Sequence, residues 1–391
     1  MRYILLFLLL FYISSKAKEA EDLIELPAEE LLVMSLNKIS QGKISEAIKN
    51  INILIQKVPN FKLAHLIHGD LLTAQSGNLN FFGGLAYKSN PDVVMDFKEE
   101  ASRRIKNYVR NNRNMLPSIN IQLSPKYEYL IYVDVTSSRL LTYKNNNGRL
   151  VFNSDHYVTI GKNGFDKKYE GDKRTPIGMY FLKEKIEREL PDLYGDGAYR
   201  INYPNEYDRL NKYTGSGIWI HGTPSHTYSR APQSSDGCLV LSNEDLNKIS
   251  KILNTPNTPI IISNKNLNQT NALIDQKQII LNKIEDWKEH WMKKDFNTYI
   301  DFYEKNSMYN HTPYKDWIMR KKKIISKSKN IKIQLSNISI FDYPNINNEM
   351  VLVNFDQHYK SDITFNKTNK TQIWIKTNDN WKILYEGTGI K

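Results

Sequence analysis

The sequence predicts a multidomain α+β protein with a helical N-terminal region, a strand-rich middle region, and a C-terminal region in which helices precede strands. Three observations support this fold class. Apolar residues recur at three- and four-residue steps over residues 28–76, alternate with polar residues from Tyr127, and return to helical spacing after Asn271 before they alternate again. With 391 residues, 40% of them hydrophobic, the chain is long enough for two or three domains with their own cores.

The first residues predict export. An apolar run at residues 3–13 follows Met1 and Arg2, and residues 15–17 have the small-x-small pattern of a cleavage site. We therefore predict a signal peptide at residues 1–17, with an uncleaved N-terminal anchor as the alternative. No cysteine lies near the cleavage site, which excludes a lipoprotein, and no later stretch is long and apolar enough to cross a membrane.

Residues 18–122 are predicted to form a helical domain. Gly42 and Pro59 divide the apolar pattern into about three helices, and a further basic helix is expected at residues 92–111. The spacing resembles one tetratricopeptide-like helical hairpin. A single repeat of this kind cannot bury its own face. That face would be covered either by a second copy of the chain, which would make this a dimerisation domain, or by the next domain.

The charge balance narrows the classes of partner. Lys and Arg total 54 against 42 Asp and Glu, and the resulting formal charge of +12 favours anionic partners. Candidates are a cell wall rich in peptide carboxylates, an anionic membrane face, or nucleic acid. Export argues against nucleic acid, and solubility alone is the other explanation for the excess of positive charge.

The chain has a single cysteine, Cys238, which follows Gly237 and precedes an apolar run. His221 closes an earlier apolar run, so both side chains are predicted to lie at the ends of strands that can hold a thiol and an imidazole in register. An imidazole that takes the proton of a thiol makes it a nucleophile. The alternative is an inert buried cysteine. Because a free thiol is at risk of oxidation outside the cell, chemistry is the better reason to carry it.

Two separated motifs resemble those of a known family, the L,D-transpeptidase (YkuD) catalytic domain. One corresponds to its His-Gly and Ser-x-Gly-Cys signature, and the other, within GDKRTPIGMYF, to its G-x-x-x-T-P-x-G segment. The matching residues are His221, Gly222, Ser235, Gly237, Cys238, Gly171, Thr175, Pro176 and Gly178. Two positions depart from the family pattern, because Asp236 stands where many members have His and Val240 where many have Arg.

The resemblance implies a mostly antiparallel β-sandwich at residues 125–264 that acts on peptidoglycan stem peptides. Cys238 would attack the carbonyl of the L-centre of the third stem residue, usually meso-diaminopimelate, with His221 as base. The N–H groups of Cys238 and Gly237 would stabilise the oxyanion, and Ser235, Asp236 and Gly222 would shape the surrounding loops.

After D-alanine leaves, two outcomes are open. Hydrolysis of the thioester gives an L,D-carboxypeptidase, whereas attack by the amine of a second stem gives 3-3 cross-links and an L,D-transpeptidase. We favour the carboxypeptidase. No metal or cofactor is implied, because the chain has one cysteine, no HExxH pattern and no phosphate-binding glycine motif.

Further residues are candidates for contacting the substrate. Residues 190–207 show little periodicity, and a long irregular loop in a compact domain is often a lid or a substrate wall. The arginine among these candidates could hold a substrate carboxylate or be a plain exposed loop residue. The Thr-Pro pair would shape one wall of the cleft or form a simple turn. The full set of candidates is Arg230, Trp219, Tyr199, Tyr203, Thr175 and Pro176.

Residues 270–391 are predicted to form a separate domain of helices followed by four strands. Helical spacing at residues 273–302 is broken near Asp295, and Trp287 and Trp291 lie four positions apart as predicted core residues. The order resembles the nuclear transport factor 2-like α+β cone, which encloses a pocket.

A basic patch at residues 320–323 is either a solvated helix face or a docking surface for anionic wall polymer. The order of the three regions resembles that of periplasmic enzymes that shape curved and helical Gram-negative bacteria. The resemblance therefore implies a periplasmic location.

Two other function classes remain. One is a cell-wall binding scaffold whose catalytic domain has decayed, against which the intact Cys238, His221 and Gly237 argue. The other is a cysteine protease acting on ordinary L-peptides. Such a protease needs an Asn or Asp that orients the histidine, and spacing alone does not identify one.

Overall fold

The computed structural model of the chain describes residues 23–77, 81–109, 122–265, 273–305, 307–309 and 312–389. The predicted signal peptide lies outside these residues. The described chain forms two compact units. Of the described residues, the first unit contains 23–77, 81–109, 191–195 and 223–232, and the second contains the rest. No helix in the described ranges is long and apolar enough to cross a membrane.

The first unit is helical, as the sequence predicts. Its helices are α1 (Ala28–Ser40), α2 (Ile44–Lys57), α3 (Lys62–Gln75), α4 (Gly84–Ser89) and α5 (Pro91–Val109). The three predicted helices between residues 28 and 76 are confirmed, and their buried faces form one core that includes Leu31, Leu54 and Ile67. The apolar periodicity produces this result because each helix presents one stripe to its neighbours.

Residues 223–232 are built into the helical unit. The ring of Tyr228 packs on Phe61 with centroids 4.6 Å apart, and the Tyr228 N–H donates to the Asn60 carbonyl at 3.1 Å. Ser229 Oγ donates to the buried carboxylate of Glu100 at 2.7 Å. Segments far apart in sequence therefore share one core in this unit.

The second unit begins with an eight-stranded sheet of order β3-β2-β1-β10-β5-β6-β7-β9. Two of its neighbouring pairs, β1 with β10 and β7 with β9, are parallel, and the other five pairs are antiparallel. The predicted, mostly antiparallel architecture is therefore confirmed, as a mixed sheet. The strands are β1 (Tyr129–Asp134), β2 (Arg139–Asn146), β3 (Arg149–Tyr157), β4 (Ile160–Gly161), β5 (Gly178–Lys185), β6 (Ala198–Ile201), β7 (Trp219–His221), β8 (Gln233–Ser235), β9 (Leu239–Val240) and β10 (Pro259–Ser263). Strands β4 and β8 form a separate parallel pair.

The segment at residues 190–207 is not the long irregular loop that the sequence predicts. It contains a 3-10 turn at Asp192–Tyr194 and strand β6, which lies between β5 and β7 in the sheet. It also reaches the start of helix α6 (Glu206–Leu210). The strand is only four residues long, so its alternating pattern is too short to stand out in the sequence. Tyr199 and Tyr203 are 4% and 5% exposed and pack in the core.

Both faces of the central strands of the eight-stranded sheet are buried. Along β1, Ile131 and Val133 pack in one core with helices α7 (Asn243–Lys248) and α8 (Ser250–Leu253). The alternate residues, Leu130 and Tyr132, pack in a second core with residues of the C-terminal domain. The side chains of successive strand residues point to opposite faces, so the C-terminal domain covers the face that the helices leave open.

The C-terminal domain consists of helices followed by a four-stranded antiparallel sheet, as predicted. The predicted break near Asp295 is confirmed, because Asp295 caps the second helix by accepting from the Thr298 N–H at 3.3 Å. Trp287 and Trp291 are buried core residues. The elements are α9 (Leu273–Met292), α10 (Phe296–Asp301), β11 (Met308–Tyr309), β12 (Thr312–Pro313), α11 (Tyr314–Lys327), β13 (Lys332–Asp342), β14 (Met350–Lys360), β15 (Phe365–Thr377) and β16 (Asn380–Thr388).

A buried ionic cluster lies inside the C-terminal domain around Glu386, which is 2% exposed. Its carboxylate accepts from Lys370 Nζ and the Tyr303 hydroxyl, each at 2.8 Å, and lies 3.6 Å from Lys321 Nζ. Burial acts to raise the pKa of Glu386, but the two ammonium groups hold it well below its usual range. The carboxylate is therefore ionised and fully partnered.

The prediction of a solvated basic helix face at residues 320–323 is wrong for Lys321. Its ammonium lies 4.4 Å from the centre of the Trp291 ring, inside the domain. Burial lowers the pKa of Lys321 to about 8, and the neighbouring Glu386 opposes this shift. The helix turns this one cation inward because the buried carboxylate and the aromatic ring faces stabilise it there.

Replacing Glu386 with Ala should destabilise the C-terminal domain by about 3 to 5 kcal/mol, because it leaves two buried cations without their anion. Denaturant titration followed by tryptophan fluorescence measures this loss, since every tryptophan except Trp219 lies in the C-terminal domain. The matched control is Glu349→Ala, which removes an exposed partner of Lys376 and should cost at most about 1 kcal/mol. Equal losses in both variants would contradict the interpretation of the buried cluster.

A second polar cluster is buried between the catalytic sheet and the C-terminal domain. Asn205 Nδ2 donates to the Tyr343 hydroxyl at 2.7 Å, and the Asn205 N–H donates to Asp208 Oδ2 at 2.9 Å. The Tyr180 hydroxyl lies 3.5 Å from Asp208 Oδ1. Burial raises the pKa of Asp208 from 3.8 to about 7, although these hydrogen bonds act to lower it.

The raised pKa of Asp208 predicts a pH-dependent stability. Its contribution is fully present below about pH 4 and is lost as the pH rises through about 7, because ionisation then charges a buried group. Asp208→Asn removes this titration. The melting temperature of the variant, measured relative to that of the unaltered protein, should therefore rise between pH 4 and pH 8. The exposed Glu187→Gln serves as control, and a constant difference for Asp208→Asn over this range would refute the prediction.

Candidate active site

The sheet brings Cys238 and His221 together. His221 ends β7, and Cys238 immediately precedes β9, the parallel neighbour of β7. In the register of this pair, His221 lies opposite Val240, two residues after the cysteine. Neighbouring strands lie about 4.8 Å apart, so Cys238 and His221 belong to adjacent chain segments and are offset by two residues along the strand direction. The half-buried Cys238 directs its Sγ to the Gly217 carbonyl at 3.5 Å.

The orientation of His221 is set by a backbone group. Its Nδ1 lies 2.7 Å from the Gly222 carbonyl oxygen, and its ring is buried. A carbonyl oxygen only accepts hydrogen bonds, so Nδ1 must carry the proton and Nε2 holds the lone pair. This tautomer equips His221 to act as a base through Nε2. A sequence search for a side-chain partner of the histidine misses this group, because every residue has a carbonyl.

Gly222 is required by close packing. A Cβ at this position would lie 2.0 Å from Asn243 Oδ1, and that oxygen accepts from the Asp196 N–H at 3.1 Å. Any larger residue would displace the Asn243 side chain and break its hydrogen bond from the Asp196 N–H. The sequence motif identifies the glycine, whereas its partner at the start of α7 carries no signal of its own.

The turn before Cys238 is held by Ser235 and Gly237. Ser235 Oγ donates to the Cys238 carbonyl at 2.7 Å and accepts from the Gly237 N–H at 3.1 Å. Gly237 has φ +120°, and a Cβ there would lie 2.7 Å from the Arg174 carbonyl oxygen. Both residues therefore shape the turn before Cys238. The expected oxyanion role of the Gly237 N–H is not supported, because that group already donates to Ser235.

Thr175 supports the same turn from inside the protein. Its Oγ1 donates to the Gly237 carbonyl at 3.0 Å and accepts from the Gly161 N–H at 2.9 Å. The side chain of Thr175 is fully buried, and Pro176 beside it is buried as well. Of the two alternatives for this pair, the buried side chains therefore fit the turn and not the cleft wall. The Thr-Pro segment positions the nucleophile turn.

The remaining substrate-contact candidates are scattered. Tyr199 and Tyr203 lie in the core, and the Tyr203 hydroxyl donates to the Thr214 carbonyl at 3.1 Å, so neither ring forms a substrate wall. Trp219 is half-buried at the start of β7. Arg230 is half-buried in the segment that belongs to the helical unit.

Asp236 is the exposed member of the nucleophile turn, with 80% of its side chain accessible. Its carboxylate lies 3.6 Å from Lys162 Nζ. Sequence reasoning missed this lysine, which follows β4 and lies far from the motif along the chain. Among the described residues, no group of three or more His, Cys, Asp or Glu side chains could hold a metal ion. The chemistry that the site offers is that of a thiol beside an oriented imidazole.

Comparison with known families agrees with this geometry. Residues 128–262 match the L,D-transpeptidase catalytic domain (YkuD), and residues 279–387 match the Cds6 C-terminal NTF2-like domain. No curated protein sequence matches the chain.

Three solved structures are similar to the chain over about 70% of its length. Bd1075 of Bdellovibrio bacteriovorus is 30% identical, with a TM-score of 0.61 over 71% of this chain and 99% of that one. The helical cell shape determining protein Pgp2 of Campylobacter jejuni is 28% identical, with a TM-score of 0.59 over 68% of this chain and 94% of that one. A single-residue mutant of Pgp2 is 26% identical, with a TM-score of 0.60 over 73% of this chain and 97% of that one. The chain therefore belongs to the peptidoglycan-remodelling family of L,D-transpeptidase-type enzymes, in which a YkuD catalytic domain is joined to a C-terminal NTF2-like domain.

Proposed function

We propose that the protein is an exported L,D-carboxypeptidase that removes the terminal D-alanine from tetrapeptide stems of peptidoglycan through a thioester on Cys238. The observation that carries this proposal is the 2.7 Å contact between His221 Nδ1 and the Gly222 carbonyl, which leaves Nε2 as the basic nitrogen next to the cysteine strand. The similarity to Pgp2, a determinant of helical cell shape, supports a role in shaping the cell wall in the periplasm.

The first half of the reaction forms the acyl-enzyme. His221 Nε2 takes the thiol proton of Cys238, and the thiolate attacks the carbonyl carbon of the L-centre of the third stem residue. The Cys238 N–H stabilises the resulting oxyanion, a contribution typically worth about 3 to 4 kcal/mol. The imidazolium then returns its proton to the departing nitrogen. The peptide bond breaks, D-alanine leaves as an amine, and a thioester remains.

The second half regenerates the enzyme. His221 Nε2 takes a proton from water, and the resulting hydroxide attacks the thioester carbonyl. The bond to sulfur breaks, the thiolate of Cys238 regains the proton from His221, and the tripeptide leaves with a new carboxylate. If the side-chain amine of a second stem attacks instead, the same steps give a 3-3 cross-link and the protein is an L,D-transpeptidase.

Replacing Cys238 with Ala should abolish product formation. Incubating the mature protein with disaccharide-tetrapeptide should yield tripeptide and D-alanine by mass spectrometry, and the variant should yield neither. A dimer with the mass of a 3-3 cross-link would assign the transpeptidase reaction. No product from the unaltered protein would instead favour a non-catalytic cell-wall scaffold. In that case, the Cys238→Ala variant should retain the cellular role of the protein.

Replacing Thr175 with Val should lower kcat by about tenfold to a hundredfold, because a nucleophile displaced by about 1 Å loses this much rate. The change removes the hydroxyl that joins Gly161 to Gly237 without much change in volume. Thr175→Ser is the matched control, since it keeps the hydroxyl and should retain most of the activity. The alkylation rate of Cys238, measured against pH, separates a displaced thiol from a general loss of stability. Equal activity in the Val and Ser variants would show that the Thr175 hydroxyl does not position Cys238.

A further inference from the structure

Two lysines flank the nucleophile turn on its exposed side. The Lys162 N–H donates to the Ser235 carbonyl at 2.7 Å, which ties this lysine to the turn. The Lys173 carbonyl lies against Gly161, where a Cβ would approach it to 2.4 Å, so Lys173 is held beside the same segment. Both backbones are therefore fixed relative to the turn before Cys238. Only their flexible side chains are free to move toward a ligand.

The exposed side of the turn, formed by Lys162, Lys173 and Asp236, carries more positive than negative charge. Lys162 Nζ lies 3.6 Å from Asp236 Oδ1, and both side chains are largely accessible, so this pair is weak. The ammonium of Lys162 lies close enough to Lys173 to lower the pKa of that lysine, whereas Asp236 acts in the opposite direction. Two cations thus share one exposed carboxylate. An anion placed between them would relieve the repulsion of the like charges.

The substrate of the proposed reaction provides such an anion close to the scissile bond. The leaving residue is the last of the stem, so it carries a free α-carboxylate. This group lies one residue beyond the attacked carbonyl, a distance of at most about 3.6 Å along the chain. A lysine side chain on the flank of the nucleophile turn has the length and charge to meet it.

We infer that Lys162 and Lys173 form a carboxylate subsite that recognises the free C-terminus of the leaving residue. This inference rests on the proposed function and adds the reason for its choice of substrate. The subsite favours a stem whose scissile bond is the last one and disfavours a bond inside a longer or C-terminally blocked peptide. Asp236 pairs with Lys162 when no substrate is bound, and its negative charge repels carboxylates that enter elsewhere on the turn.

The test compares two substrates that differ only in this group: disaccharide-tetrapeptide with a free terminal carboxylate, and the same compound with a terminal carboxamide. The unaltered protein should process the acid with a kcat/KM about tenfold or more above that of the amide, the size expected for a hydrogen bond to a charged group. Lys162→Met combined with Lys173→Met should bring this ratio close to one. The loss should appear in KM for the acid, and the rate on the amide should stay unchanged.

The matched control is Lys251→Met, which removes an equally flexible lysine that is 79% exposed on the short helix α8. It should leave the acid-to-amide ratio at the value of the unaltered protein. A second comparison uses Arg230→Met, because Arg230 is the other cation suggested for a substrate carboxylate. If the ratio falls in that variant and not in the lysine variant, the assignment to Lys162 and Lys173 is wrong.

The remaining outcomes separate the inference from the proposed function. If the unaltered protein releases D-alanine from both substrates with equal efficiency, the inference fails and the proposed function stands. If the kcat/KM of the lysine variant falls by the same factor on both substrates, the lysines only support the fold of the turn, and the inference also fails. If the unaltered protein processes neither substrate, the proposed function fails and the inference falls with it.

Discussion

Both faces of the eight-stranded sheet are apolar, and the rest of the second unit is arranged to keep water from them. Strand β1 shows this constraint directly, because its consecutive residues Leu130 and Ile131 belong to two different cores. Helices α7 and α8 cover one face. The other face needs a partner of similar area, and the C-terminal domain provides it with residues such as Phe341 and Leu352. The C-terminal domain is thus a structural component of the catalytic domain.

This arrangement gives the C-terminal domain a physical connection to the catalytic machinery. The Tyr343 hydroxyl accepts from Asn205, which also donates to the Met179 carbonyl on β5. Strand β5 follows directly on the Thr-Pro segment, and Thr175 holds the nucleophile turn. Rigid elements of this kind hold catalytic groups more accurately than loops do.

The site and the C-terminal core use charge in opposite ways. In the core, the Glu386 carboxylate is surrounded by hydrogen-bond donors and cations, which is the condition under which a buried charge is tolerated. Around the nucleophile, the supporting groups are hydroxyls and carbonyls, such as those of Ser235 and Gly222. Charged side chains lie on the exposed side of the turn before Cys238, where Lys162 faces Asp236. Neutral supports fix geometry without adding a charge beside the reacting thiol and imidazole.

The sequence by itself indicated the three regions, the longer helices, most of the strands and Cys238 with His221 as candidate site residues, because these follow from short-range periodicity and from a local motif. It failed where the signal was too short or the partner too distant. Strand β6 has only four residues, so its segment was predicted to be a loop, and the buried Tyr199 and Tyr203 were predicted to line a substrate wall. Lys321 was predicted to be a surface residue, because a run of basic residues does not show which of them pairs with a buried carboxylate. Only the tertiary structure assigned the Gly222 carbonyl to His221, Thr175 to Gly237 and Lys162 to the nucleophile turn. These contacts depend on the sheet register and on the path of the chain. Both bring together atoms from segments that are distant in sequence, and the local sequence of one segment does not identify the other.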